Sequence, residues 1–348
     1  MAQIASVRVQ HIRTHDDYTL AVSPGVTVVT GPNGSGKTSL VEALYIALQG
    51  SSFKGGDLDV LQHDKAWYRV DVAFDGDGSR TVKFDPSRQT GRKQFVVDGK
   101  TQYRLTPRHK IPAVLFEPDD LRLLNGSPTR RRQFIDRFIG QLDPEYALSL
   151  RRYERALKQR NTLLKRSGVT NDDLFAWNVS LSEYGAYIIK QRVAFIDRLN
   201  ARLNDTYESI AHTGDIVSVR YSLHVTGSLQ QKLLSDLHAH IERDKVMGFT
   251  SVGPHRHDVL FDFNGSPALA VASRGEVRSV VLALKFLEVN VIQDITGKPP
   301  VILLDDVFSE LDNDRQNYLI QSTTHNQIII TSATGSHAID SAYVTELK

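Results

Sequence analysis

One short stretch constrains the fold of this chain more than any other: residues 26–40 read VTVVTGPNGSGKTSL. A β-branched run enters a glycine-rich turn, and a helical pattern follows the turn. The turn fits G-x-x-x-x-G-K-[ST], and strand, loop and helix are the context in which that pattern binds phosphate. Glycines let backbone N–H groups turn inward around phosphate oxygens, and the helix N-terminus adds the positive end of its dipole. The stretch therefore predicts a phosphate-binding loop in an α/β domain.

The loop also predicts which side chains serve a bound nucleotide. Lys37 places a point charge at the β- and γ-phosphates, and the Thr38 hydroxyl is suited to ligate Mg²⁺. ATP and Mg²⁺ are the expected cofactors. The predicted nucleotide-binding residues are Gly31, Pro32, Asn33, Gly34, Ser35, Gly36, Lys37, Thr38 and Ser39.

A second segment, VILLDD at 301–306, supplies the carboxylates that such a loop needs. Its apolar run is typical of a central parallel strand. Asp305 ends the strand and is expected to reach the Mg²⁺ through water. Asp306 follows, where ATPases of this kind place the carboxylate that orients the attacking water. Asp306 and Lys37 are therefore the predicted catalytic residues.

These two segments lie near opposite ends of the sequence, which indicates a large insertion between two halves of one domain. The chain before residue 119 is rich in short β-prone runs separated by turn signals, and residues 119–245 carry apolar side chains at helical spacing. We predict a discontinuous α/β P-loop head, formed by 1–118 and 246–348, with mixed sheets and flanking helices. A compact helical lobe at 119–245 is inserted into it.

Composition narrows the class of protein. The chain has 348 residues, no cysteine and a net charge of +2, so disulfides and thiolate metal sites are excluded. No apolar run approaches the length that spans a bilayer, and the N-terminus has no export pattern, so a cytoplasmic protein without membrane contact is expected. Between residues 120 and 166 Lys and Arg outnumber Asp and Glu by 12 to 5. Within this segment Arg130, Arg131 and Arg132 form either a DNA-contacting patch or a solvated helix face.

A second candidate anion-binding turn, Ser273-Arg274-Gly275-Glu276, opens an apolar helical run. Taken alone it is equally consistent with a helix cap. The order of this turn, the strand ending in acids and the segment SELD at 309–312 resembles the ABC/SMC superfamily. The resemblance implies that residues 273–276 are a signature turn that caps the γ-phosphate on a second molecule, so that ATP binding produces a homodimer.

Longer stretches resemble the RecF family within that superfamily. They are GPNGSGKTSLVEAL (31–44), LFEPDDLRLLNGSPTRRRQFID (115–136), RYERALKQRNTLLK (152–165), EYGAYIIKQR (183–192), VGPHRHD (252–258) and VILLDDVFSELD (301–312). The resemblance implies a weak, DNA-stimulated ATPase of recombinational repair and replication. It further implies an ATP-driven dimer that clamps DNA at gaps and junctions, largely independently of sequence, and that works with RecO and RecR to load the recombinase.

Several positions depart from this pattern or are assigned less directly. Glu276 stands where Gln is expected, and His257 stands where Asp is expected. ABC ATPases often place a histidine after the last head strand; this chain has Thr331, Ser332 and Thr334 there, with His337 displaced.

The family resemblance places Arg13 where the N-terminal strand turns toward the nucleotide, so Arg13 is expected either to touch phosphate or to be a surface residue. It also implies that Glu117 or Asp119 contacts the metal, in the loop where ABC relatives place a Gln. His255, His257 and Asp258 are a weak candidate metal cluster, which we do not favour.

Two other functions share parts of this pattern. A transport or chaperone-type ABC ATPase would use the same chemistry without DNA dependence. A metabolic P-loop kinase would be a monomer with a small acceptor pocket, and would leave the turn at 273–276 unexplained.

Overall fold

The computed structural model describes residues 3–76, 78–223, 227–308, 311–333 and 342–347, which divide into two units. The first unit is Met1–Asp120 with Glu288–Lys348, and the second is Leu121–Leu287. Of the residues singled out in the sequence, Ser309, Thr334 and His337 lie outside the described ranges.

The first unit contains a six-stranded antiparallel sheet with the strand order β2-β1-β4-β5-β6-β7. Alternating burial along β4 shows that one face of this sheet packs inward, as the period of a strand requires. Asp98 and Gly99, both with positive φ, form the two-residue hairpin turn between β6 and β7. The strands are β1 (Ile4–Ile12), β2 (His15–Ala21), β4 (Tyr68–Phe74), β5 (Ser79–Phe84), β6 (Lys93–Val97) and β7 (Lys100–Gln102).

A five-stranded sheet, in which every pair of neighbours is parallel, completes this unit in the order β14-β3-β13-β12-β8. The nearly continuous apolar sequence of its inner strands is expected for strands buried on both faces. Helix α1 (Lys37–Gln49) packs against both sheets, and its side chains join one buried core with theirs. The strands are β3 (Val26–Thr30), β8 (Ala113–Phe116), β12 (Val301–Asp305), β13 (Ile328–Ser332) and β14 (Tyr343–Glu346); the short α2 (Asp57–Val60) and α10 (Asn313–Ser322) also belong to this unit.

The second unit is mainly helical. Its longest helix, α5, has 41 residues and begins at a capping box formed by Thr170 and Asp173. A small antiparallel sheet accompanies the helices in the order β11-β10-β9. The elements are α3 (Pro128–Leu142), α4 (Pro144–Leu164), α5 (Asn171–Ala211), β9 (Val217–Tyr221), α6 (Leu229–Ala239), α7 (Ile241–Met247), β10 (Val259–Phe263), β11 (Ser266–Pro267), α8 (Ala268–Val271) and α9 (Arg274–Thr296), and the division between the units falls within α9.

The predicted fold class, an α/β P-loop head with mixed sheets and a helical insertion, is confirmed by this architecture. The predicted return to the head at 246 is wrong, because residues 246–287 belong to the helical unit. The physical reason is β9, which lies inside the predicted lobe and pairs along its whole length with β10. No helix among the described residues combines the length and apolarity that crossing a bilayer requires.

Candidate nucleotide-binding site

Parallel pairing brings four chain segments to one edge of the five-stranded sheet. Thr30 is paired with Ser332, Thr331 with Asp305, and Leu304 with Phe116. The loop after β3, the acids after β12 and Glu117 after β8 therefore all leave the carboxyl ends of the strands. This edge is where open parallel sheets bind ligands.

The glycine-rich loop is held in shape by its own backbone. Gly36 has φ 95° at the start of α1, and a Cβ there would lie 2.3 Å from the Nε2 atom of His15, so only glycine fits. The buried Lys37 donates from Nζ to the carbonyl oxygens of Gly31 at 2.8 Å and Pro32 at 3.0 Å. Pro32, Asn33 and Gly34 form the exposed tip of the loop. The ammonium group of Lys37 is therefore positioned inside the loop.

Asp305 and Thr38, the residues predicted to serve Mg²⁺, are in direct contact in the structure. The Thr38 hydroxyl donates to Asp305 Oδ1 at 2.7 Å, and the Thr331 hydroxyl donates to the same atom at 3.0 Å. Asp305 is 2% exposed, so its orientation is fixed by these contacts rather than by solvent.

Asp306 has an unusual backbone conformation for a residue with a side chain. Its φ is 54°, and its N–H donates to the Thr331 hydroxyl at 3.0 Å. Burial raises the pKa of Asp306 above its ordinary value; the charge of Lys37 opposes this shift and the neighbouring Asp305 adds to it. A raised pKa makes this carboxylate a stronger proton acceptor than an ordinary Asp.

Arg13 does not extend freely toward the loop. Its guanidinium donates through Nε and Nη2 to Glu42 of α1, at 2.6 and 3.0 Å. The completely buried Glu42 also accepts a hydrogen bond from the hydroxyl of Ser52. Two of the guanidinium nitrogens are thus used within the protein, and a phosphate contact by Arg13 stays a prediction.

Sequence reasoning missed Lys54, which contacts the site. Its ammonium nitrogen lies 3.5 Å from Asp305 Oδ2, and the Ser52 hydroxyl accepts from the backbone N–H groups of Lys54 and Gly55. The sequence pattern of residues 51–56 does not indicate this role, because the contact of Lys54 with Asp305 depends on the path of the segment that follows α1. Lys54 supplies a positive charge beside Asp305.

Glu117 and Asp119 occupy the turn that follows β8. Phe116 is the last residue of β8 paired with β12, which places Glu117 next to the carboxyl end that carries Asp305. Its N–H donates to Asp120 Oδ2 at 3.0 Å, and Asp119 is exposed. Register therefore favours Glu117 over Asp119 as the metal contact, which stays a prediction.

The turn at 273–276 forms a capping box on α9. The Ser273 N–H donates to Glu276 Oε2 at 2.6 Å, and the Glu276 N–H donates to Ser273 Oγ at 3.3 Å. Glu276 therefore folds back onto the helix start, a position that Glu and Gln fill equally well. A Cβ on Gly275 would meet only Ser273 Oγ, at 4.0 Å, so packing within the chain does not require glycine there.

The prediction that Arg131 contacts DNA is wrong. Its side chain is buried and binds Asp258 through Nε and Nη2 at 2.9 and 2.7 Å. Its Nη1 donates to two backbone carbonyl oxygens before α3. The neighbouring Arg132 donates to the carbonyl oxygen of His257 at 2.7 Å, so it is also used within the unit. For Arg130, DNA contact stays a prediction.

His255 and His257 bind tyrosines in the described structure. The Tyr153 hydroxyl lies 2.6 Å from His255 Nδ1, and the Tyr221 hydroxyl lies 3.0 Å from His257 Nδ1. Desolvation lowers the pKa of each histidine to about 4. Both imidazoles are therefore neutral in the folded protein. The carboxylate of Asp258 forms an ion pair with Arg131.

These pKa values predict how stability depends on pH. In the unfolded chain both histidines bind protons below about pH 6.5, whereas the folded protein resists protonation until about pH 4. The free energy of unfolding is therefore expected to fall as the pH falls from 6.5 to 4. Urea unfolding across this range should show a shallower dependence for His257→Asn. The exposed His63→Asn variant should follow the wild type, and equal slopes for all three proteins would contradict the assignment.

The glycine-rich loop follows one strand of the parallel sheet, and the acid pair follows another. This arrangement defines a P-loop protein with the fold of ABC/SMC-type ATPase heads. A solved SMC head domain from Pyrococcus furiosus supports the fold, with a TM-score of 0.53 at 16% identity over 100% of this chain and 94% of that chain. The family described as "AAA domain" matches residues 6–210.

Full-length relatives specify the family. The DNA replication and repair protein RecF of Streptococcus uberis is 33% identical, over 97% of this chain and 94% of that protein. The RecF of Chlorobium phaeobacteroides is 32% identical, over 95% of both chains. A solved structure of the recombination mediator RecF with ATP matches with a TM-score of 0.87 at 27% identity, over 98% of this chain and 95% of that one. The chain belongs to the RecF family, which decides against the transporter and kinase alternatives.

Proposed function

We propose that this protein is an ATP-dependent DNA-binding protein of recombinational repair and replication, in which ATP drives dimerisation and the dimer clamps DNA at gaps and junctions. The observation that carries the proposal is the meeting of Thr38 and Asp305 beside the glycine-rich loop. Solved structures of RecF relatives with ATP and with an ATP analogue support the choice of nucleotide.

The residues at the sheet edge fit a magnesium nucleotide. A hydroxyl and a carboxylate oxygen 2.7 Å apart are hard oxygen donors of the kind that Mg²⁺ binds together with phosphates. Thr38 and Asp305 would hold the metal, which supplies neutralisation of phosphate charge when bound. Lys37 would turn from the loop carbonyls to the β- and γ-phosphates, and the N–H groups of the glycine-rich loop would bind their oxygens.

Asp306 is the residue that we assign to the hydrolytic water. Its backbone is fixed by Thr331, and its raised pKa suits a group that accepts a proton. An aspartate reaches one methylene less far than a glutamate, so hydrolysis is expected to be slow. A slow reaction suits a protein in which ATP holds an assembly together.

The turn at 273–276 is assigned to the nucleotide of a second molecule. Ser273 and Arg274 are exposed, and Gly275 leaves open space where a side chain could have stood. A glycine without a packing reason suits close approach of another molecule. The dimer would thus hold two nucleotides, bind DNA phosphates without reading sequence, and cooperate with RecO and RecR in loading the recombinase.

The proposal is tested by measuring mass in solution with light scattering. Mg-ATP is expected to double the mass of the wild type. Ser273→Arg should raise the dissociation constant of the dimer at least about tenfold, because a bulky side chain obstructs the approach of the partner's phosphate, while binding of ATP to the monomer persists.

A matched control separates this effect from loss of a helix cap. Ser228→Arg removes another exposed serine that caps a helix in the same unit, at a similar cost in stability. This variant should dimerise like the wild type. The proposed dimer would be overturned if Mg-ATP did not change the mass of the wild type. It would also be overturned if the Ser273→Arg variant dimerised like the wild type.

A further inference from the structure

Helix α4 has two sharply different faces. The buried face carries Tyr153, Ala156, Arg160 and Leu164, which recur at the spacing of one side of a helix. The opposite side is exposed from residue 151 to the end of the helix. Packing within the unit therefore accounts for the residues on the buried side of α4, but not for those on its exposed side.

The exposed side of α4 is almost wholly cationic. Within 151–166 Glu154 is the only acid, and it is exposed together with the cations around it. No salt bridge in the described part of the chain uses any of the exposed cations. The cations are Arg151, Arg152, Arg155 and Lys158 on α4, and Lys165 and Arg166 directly after it; together we call them the α4 ridge.

The spacing of the α4 ridge matches a nucleic-acid backbone. At 3.6 residues per turn, Arg151, Arg155, Lys158 and Lys165 project within one narrow stripe, and they extend over roughly 20 Å along the axis. One strand of duplex DNA presents a phosphate about every 3.4 Å of rise, so a ridge of this length lies within reach of several phosphates on the facing side of the duplex. Long flexible cations in a row contact phosphates without reading base edges.

The chemistry of the ridge also argues against a protein partner. Protein interfaces are centred on apolar or aromatic anchors, with charge at the rim. Between the cations the exposed side of α4 carries Glu154, Gln159 and Thr162, and no large apolar side chain. A surface of this composition suits a polyanion.

We propose that the α4 ridge is a principal DNA-contacting surface of the helical unit, binding the phosphate backbone independently of sequence. This inference rests on the proposed DNA-binding function. It replaces Arg131, which the ion pair with Asp258 removes from that role.

The test is fluorescence anisotropy with a fluorescein-labelled gapped duplex of arbitrary sequence, titrated with the full-length protein in Mg-ATP at several salt concentrations. The variant is the triple substitution Arg151→Gln, Arg155→Gln and Lys158→Gln. Each lost phosphate contact lowers the slope of log K against log salt by about 0.9. The triple variant should therefore lose about 2–3 units of slope and at least about tenfold in affinity.

The matched control removes the same charge elsewhere in the unit, through Arg198→Gln, Lys232→Gln and Arg243→Gln, three exposed cations on α5, α6 and α7. It should bind DNA within about twofold of the wild type. Circular dichroism melting curves verify that both triple variants are folded.

The possible outcomes distinguish failure of the proposed DNA-binding function from failure of the assignment of the α4 ridge. A wild type without DNA affinity would overturn the proposed function itself. A wild type that binds, together with an α4 variant of unchanged affinity and slope, would overturn only the assignment of the ridge. An equal loss in the control would do the same, because the charge of the whole unit would then explain binding.

Discussion

Replacement of Arg160 by leucine is expected to lower the free energy of unfolding by about 3–5 kcal/mol, the cost of removing one partner of a buried ion pair. Arg160 is completely buried between α4, α5 and α7. Its Nη1 donates to Asp244 Oδ2 at 2.7 Å and to Thr250 Oγ1 at 2.8 Å, and its Nε donates to Asn178 Oδ1 at 2.7 Å. Without the guanidinium, the buried carboxylate of Asp244 is left without its counter-charge. Urea unfolding followed by circular dichroism measures the loss.

The control for Arg160 lies on the same helix. Arg151→Leu removes the same side chain from the exposed face and should change the free energy of unfolding by no more than about 0.5 kcal/mol. Comparable losses for the two variants would show that helix propensity or net charge, rather than the buried pair, accounts for the effect.

Replacement of Lys37 by methionine is expected to lower the affinity for Mg-ATP by about 100- to 1000-fold. Hydrogen bonds to charged groups contribute about 1.5–3 kcal/mol each, and Lys37 is assigned two phosphate partners. The methionine chain retains most of the buried volume of the lysine, so the protein should stay folded. Isothermal titration calorimetry measures the affinity.

Lys100→Met on β7 is the matched control, since it removes an exposed lysine of the first unit outside the predicted site. It should bind Mg-ATP like the wild type. If Lys37→Met lost less than about tenfold, Lys37 would be a structural donor to the loop carbonyls and not a phosphate ligand.

The local parts of the site could be predicted from sequence because local geometry determines them. The glycine-rich loop has its strand, its turn and its helix within 15 consecutive residues. Asp305 and Asp306 follow an apolar run that only a central strand explains. The meeting of Thr38 with Asp305 then follows from parallel pairing, which brings carboxyl ends to a common edge.

Contacts between distant residues could not be predicted in this way. A run of three arginines has the same sequence whether it is solvated or paired, and Arg131 finds Asp258 127 residues away. Lys54 reaches Asp305 only because the segment after α1 folds back toward the carboxyl ends of the strands. The predicted domain boundary at residue 246 differs from the structure for a similar reason. The pairing of β9 with β10 crosses this boundary, and a single sequence carries little information about which strands pair.

The turn at 273–276 shows how one sequence pattern can serve two purposes. Ser and Glu three residues apart form a capping box from local hydrogen bonding alone. That arrangement also explains why Glu276 is tolerated where the family resemblance leads us to expect Gln, because its carboxylate binds the backbone of Ser273. A helix cap and a proposed signature turn are therefore compatible in the same four residues.

The position of β3 in the parallel sheet has a consequence for synthesis of the chain. β3 lies between β13 and β14, and its Thr30 hydroxyl donates to the carbonyl oxygen of Thr345, 315 residues later. At ribosomal rates of about 5–20 residues per second, β3 waits about 15–60 s for these neighbours. A nascent chain therefore carries an apolar strand without sheet partners, and the glycine-rich loop acquires its complete surroundings only after β13 and β14 have been synthesised.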